Sequence, residues 1–185
     1  MTFIDQSLDG FKEIFASLFN DLSVWWILGP VFIFWVVLEI YFGKHKSEEL
    51  GWNTALGNGI SLSWITLNLM KFLFENNLKM FTWPKFLLTF LIMIYGFFIA
   101  YIAFTHKFSD KTTFLLASPS PIYYLASIAI LWSYGVLDIS LIILFDLVIL
   151  YLIIIGILAL IKKYIPDAKD FLSDKGSESF SDLGL

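Results

Sequence analysis

The chain has 185 residues, of which 58% are hydrophobic, 19% aromatic and 15% charged, with a mean hydropathy of +0.79; a water-soluble domain of this size cannot bury that much apolar surface. Twenty Phe, eight Tyr and seven Trp against eleven Gly and five Pro exclude disordered, collagen-like and low-complexity chains. The net charge of −4 is reached without Arg, since all twelve basic residues are Lys in short segments between apolar runs, and Cys is absent; a basic nucleic-acid stripe, disulfides, thiolate metal sites and Cys nucleophiles are thereby excluded. The expected class is an all-α integral membrane protein.

At the N-terminus, Ile4, Leu8, Phe11, Phe15, Leu18 and Leu22 recur at spacings of four and three, the stripe of an amphipathic helix, with Asp5, Asp9, Lys12 and Glu13 elsewhere around it. Residues 1–22 are therefore expected to form a helix lying in the membrane interface. Its acidic polar face suits the non-cytoplasmic surface or a docking partner better than an anionic leaflet. The same acids argue against a cleavable secretory signal, which needs a basic start.

Five apolar runs follow, at about 24–42, 55–74, 86–104, 115–137 and 139–161. Each approaches the ~20 residues that cross ~30 Å of hydrocarbon, so residues 23–165 read as a bundle of about five transmembrane helices. Gly29 and Pro30 predict a kink or the true start of the first helix. Pro119 and Pro121 place the usable start of the fourth at Pro121, Gly135 reads as its stop, and Asp138 as the N-cap of the fifth. Residues 166–185, rich in Asp, Ser and Gly, read as a polar, acidic, disordered tail.

Lysine placement sets the orientation. In a five-span arrangement Lys44, Lys46, Lys107, Lys111, Lys162, Lys163, Lys169 and Lys175 share one side, and Lys12, Lys71, Lys79 and Lys85 the other. The richer side stays cytoplasmic, which puts the C-terminus inside and the N-terminus opposite. Trp25, Trp26, Trp83, Trp132 and Tyr134 are expected in one aromatic belt, and Tyr41, Trp52, Tyr123, Tyr124 and Tyr164 in the other.

Polar groups within apolar runs are where function is expected, because each needs a partner in hydrocarbon. Glu39, one turn from the end of the first span, is able to snorkel toward Lys44 or His45. Asp146 is too deep for that and is expected to hydrogen-bond a neighbouring helix, to pair with Lys71, or to serve an ion or proton pathway. In the second span Asn58, Ser61, Ile65 and Asn68 share one face, which suits helix-to-helix glue or a wet, ligand-lined wall. Gly57-Asn58-Gly59 offers a place for that helix to unwind. His45 and His106 lie beyond span ends and are at most weak metal candidates, since no helical ligand spacing is present.

No nucleophile elbow, phosphate loop or dinucleotide fingerprint occurs, so no catalytic residue and no cofactor is assigned. The expected function is a small homo-oligomeric channel or transporter component for ions or small solutes, with Glu39, Asn58, Ser61, Asn68, Lys71 and Asp146 as pathway or buried polar candidates. Two alternatives stand: a non-catalytic assembly subunit bound to a partner membrane protein, and an intramembrane lipid-processing enzyme using Glu39, His45 and His106. The expected surroundings are the lipid bilayer, a second copy or a partner membrane protein, and no nucleic acid.

Overall fold

A computed structural model describes residues 2–45, 51–75 and 81–166; the tail expected over 166–185 lies, beyond Pro166, outside the described residues, as do Lys46, Lys79, Lys169 and Lys175. The described residues are mostly helical, without strands: α1 Phe3–Asn20, α2 Trp25–Lys44, α3 Trp52–Glu75, α4 Trp83–Thr105, α5 Asp110–Leu116, α6 Pro119–Ser133 and α7 Leu141–Tyr164, with one 3-10 turn, Leu22–Val24, between α1 and α2.

Start and stop signals explain most boundaries. Thr2 accepts from the Asp5 amide while the Asp5 carboxylate accepts from the Thr2 amide, a reciprocal capping box. Those hydrogen bonds from Thr2 hold the Asp5 carboxyl below the usual carboxylate range. Pro sits in the first turn of both α4 and α6, where its missing amide costs nothing. Gly135, at φ 69°, ends α6 as expected. The cap of α7 is Ser140, whose hydroxyl accepts from the Ile143 amide at 3.2 Å; Asp138, expected in that role, stands two residues too early. Pro30 lies inside α2 and does not start it. The ring deprives the Trp26 carbonyl of its helical donor without ending the helix.

Four helical stretches are long and apolar enough to cross a membrane: Leu22–Lys44, Trp83–Thr105, Asp110–Ser133 and Leu141–Tyr164. The second expected run, which forms α3, has the length, 24 residues, but falls short of the apolarity of the other four. Asn53, Asn58, Ser61, Ser63, Asn68 and Lys71 dilute it. Its triplet Gly57-Asn58-Gly59 does not unwind, and α3 is continuous from Trp52 to Glu75.

The long helices alternate in direction. At one end of the bundle Trp52 stacks on His106 and Glu39 pairs with Lys162; at the other, Phe72 stacks on Tyr134 and α1 crosses the start of α7. The central element is α6, against which α2, α3 and α4 pack, while α7 flanks α2 and carries α1. Nine of its fifteen residues are buried. Tyr123, expected at a membrane edge, is one of them at 2% exposure. Outward faces of α2, α4 and α7 expose Phe32, Ile33, Phe97, Phe104, Val148 and Leu152, a surface compatible with hydrocarbon surroundings.

The closest crossing is α3 on α4. A Cβ added at Gly59 would stand 2.6 Å from the Ala100 amide nitrogen and 2.8 Å from the Gly96 carbonyl, and one added at Gly96 would stand 2.9 Å from the Gly59 carbonyl. Backbone meets backbone there, as small residues allow in membrane helices. Gly96→Leu is expected to cost about 1–3 kcal/mol by overpacking, measured as unfolding in a denaturing detergent series. Gly57→Ala, which meets nothing within 4 Å, should gain up to about 1 kcal/mol from helix propensity. Equal stability of the two variants would contradict the close crossing.

Candidate functional site

The expected fourth span is two helices. The chain leaves α5 at Ala117, passes Ser118 in extended backbone and enters α6 at Pro119, because the two prolines and the extended residue before the first do not continue a helix. The break is inside the bundle, where open carbonyls need partners. The Asn58 amide donates to the Ala117 carbonyl at 2.8 Å, and the Tyr95 hydroxyl to the Leu116 carbonyl at 2.8 Å. Tyr123, one turn into α6, donates to Asn58 Oδ1 at 3.0 Å. One buried amide thus satisfies the broken backbone and fixes the tyrosine beside it.

On the other side of α6, the Ser120 hydroxyl donates to Glu39, whose second oxygen pairs with Lys162, and Trp35 Nε1 donates to Ser120 at 3.3 Å. Glu39 is 4% exposed. Ser120 is the second residue of α6, so the carboxylate also sits at the positive end of that helix. Lys44 and His45, its expected partners, are not used; the lysine comes from the far end of α7.

Asp146 occupies the opposite end and is fully buried. One oxygen accepts from the Ser7 hydroxyl of α1; the other, Oδ2, is with Thr113 Oγ1 one of two buried side-chain oxygens without a hydrogen-bond partner among the described residues. It abuts Gly10, where an added Cβ would stand 2.1 Å away. Lys71 pairs with Glu75 at 3.6 Å on the surface and does not reach Asp146. The N-terminal helix is thus docked on the bundle. Gly10, Ile14 and Ser17 are buried, Ile4, Leu8, Phe15 and Phe19 are exposed, and Asp9, Lys12 and Glu13 form a separate polar strip. One face of α1 thus packs on α7, a second is apolar and exposed, and a third is charged and exposed.

Both α2 and α3 pack on α6 rather than on one another, which leaves a cleft of about 450 Å³ between them. Trp26, Pro30 and Phe34 form one wall, Ile60 and Trp64 the other, and Tyr123 the floor. Ser61, Ile65 and Asn68, the face picked out by spacing, also line it, while Asn58 lies behind, bonded to the break. Asn68 bonds its own helix at the Trp64 carbonyl, 2.8 Å away. Neither Glu39, Asp146 nor Lys71 reaches this cleft. His106 stacks on Trp52, with centroids 3.9 Å apart, and His45 lies against Tyr41. Among the described residues no three His, Cys, Asp or Glu side chains are grouped to hold a metal, and Glu39 is committed to Ser120 and Lys162 rather than to a histidine.

Sequence reasoning missed the partners of the two carboxylates and the part played by Tyr95 and Tyr123. The Pro119–Pro121 pair was the one visible sign of a break needing side-chain partners. No protein-family model, curated protein or solved structure matches this chain.

Two outcomes follow. Lys162→Met should cost about 2 kcal/mol by leaving the Glu39 carboxylate to Ser120. That is less than for a wholly buried pair, because Lys162 is 37% exposed and water reaches it. Adding Glu39→Gln should recover most of the loss in a double-mutant cycle, and strictly additive costs would deny the pair. Gly10→Ala should lift α1 from Asp146 at about 1–3 kcal/mol, read as faster amide exchange confined to residues 3–20; unchanged exchange would mean that α1 is not docked there.

Proposed function

We propose that this is an integral membrane protein, with α3 as a fifth span shielded by its neighbours, that acts as a small transport component for uncharged molecules. The observation that carries this reading is the discontinuous α5–α6 helix beside the α2–α3 cleft. Helices broken within a bundle are the usual binding elements of secondary transporters, since they bring polar groups to mid-membrane depth. The charges favour an uncharged cargo: Glu39 is held by Lys162, Ser120 and the start of α6, and Asp146 is sealed under α1, so neither carboxylate faces the cleft. On the lysine rule, the end carrying Lys44, Lys107, Lys111, Lys162 and Lys163 faces the cytoplasm, with the N-terminal helix on the opposite surface. Six helices longer than two turns give a small bundle, and a homo-oligomer is the expected working form.

A second reading, an assembly subunit of a larger membrane complex, is favoured by the mutual pairing of Asn58, Tyr123, Glu39, Ser120 and Lys162, which also serves a purely structural core.

The test is transit through proteoliposomes of the pure protein, with a series of neutral solutes and amphiphiles run beside protons and K⁺, and with mass measured in nanodiscs. The expected result is accelerated transit of a neutral compound, lowered about fivefold or more when Ser61→Leu and Asn68→Leu replace polar cleft groups by apolar ones at about 1 kcal/mol, with Asp146→Asn unaffected. Proton or cation flux abolished by Asp146→Asn would replace this reading with an ion pathway. Silence across the series together with a co-purifying membrane protein would establish the assembly subunit.

A further inference from the structure

We propose that the α2–α3 cleft is a binding site for a single-chain amphiphile with an uncharged hydroxyl or amide head group, drawn sideways from the bilayer; this deepens the transport reading and rests on its placement of the bundle in a membrane. Shape comes first. From Trp26 to Phe34 on one wall and from Ile60 to Asn68 on the other, each wall runs nine residues, or ~12 Å of helix, and the volume of about 450 Å³ falls within the ~300–1,000 Å³ of small-molecule sites. The walls are Trp, Pro, Phe and Ile surfaces, and Ile60, Trp64, Phe34 and Trp26 are all substantially exposed on the outward side, so a ligand enters from the medium around the bundle and not along its axis.

Chemistry then narrows the ligand. No Asp, Glu, Lys or His lines the cleft, so a carboxylate, phosphate or ammonium group would be buried without a counter-charge. What the cleft's lining side chains carry is neutral and both donating and accepting: the Ser61 hydroxyl and the Asn68 amide, with Tyr123 beneath them held by Asn58. A hydroxyl or amide both gives and receives hydrogen bonds and so matches this set. An ester-free hydrocarbon would leave it unused.

The probe is hexadecanol carrying a chain-end diazirine, photolysed with the full-length protein in nanodiscs and mapped by peptide mass. Saturable labelling on α2 and α3 is expected. Unlabelled hexadecanol should compete at least about tenfold better than hexadecanoate or hexadecyl phosphate, tenfold being the discrimination that ~1.4 kcal/mol supplies. Ile60→Trp, at an outward-facing position that folding tolerates, should fill the cleft and abolish saturable labelling. Ser61→Ala with Asn68→Leu should weaken competition roughly fivefold, the loss of about one net hydrogen bond. Labelling spread evenly over all outward faces, insensitivity to Ile60→Trp, or equal competition by the charged analogues would each overturn the proposal. Saturable labelling without transit in proteoliposomes would keep the ligand class and defeat the transport reading, and transit without cleft labelling would do the reverse.

Discussion

A helix that stops inside a bundle leaves carbonyl groups where water does not reach, and the break between α5 and α6 imposes that requirement on the rest of the structure. Asn58 and Tyr95, from two other helices, meet the Ala117 and Leu116 carbonyls, and Tyr123 fixes the amide that does so. The relative positions of α3, α4 and α6 are therefore tied at one point by directional bonds, while apolar packing around it is permissive. Because both α2 and α3 settle against α6, their separation follows from the same arrangement, and so does the cleft between them.

The two buried carboxylates are handled by one logic at opposite ends of the molecule. Each is closed off by a group remote in sequence: Lys162 for Glu39, Ser7 for Asp146. In both places a glycine lets the covering element come close, Gly43 beneath the Lys162 side chain and Gly10 above Asp146. These contacts tie the first and last elements together, α1 and α2 with α7.

Much of the architecture was legible in local pattern. The stripe beginning at Ile4 gave α1, the apolar runs gave the long helices to within a few residues, and Gly135 marked the end of α6. The triplet around Asn58 misled because glycine on a helix reads equally as a weak point and as a close crossing; Gly59 is the latter, and only the position of Gly96 decides it. The face shared by Ser61, Ile65 and Asn68 was correct as periodicity, yet Asn58 turns inward from it because Ala117 lies within its reach. Partners such as Ser7 for Asp146, separated by 139 positions, leave no periodic trace, which is why Lys71 was an equally natural candidate from sequence.

The polarity of α3 bears on how the chain is built. A segment carrying three Asn and a Lys with little apolar compensation partitions poorly into hydrocarbon on its own, whereas α4 partitions readily and offers Gly96 and Ala100 as a seat for it. In the five-span arrangement proposed above, α3 would depend during synthesis on a segment that leaves the ribosome after it, the two entering as a hairpin held by the Gly59–Gly96 crossing. Bulk at that crossing would then act on biogenesis before it acted on the finished fold, appearing as misinserted chains in addition to the lowered stability of those that fold.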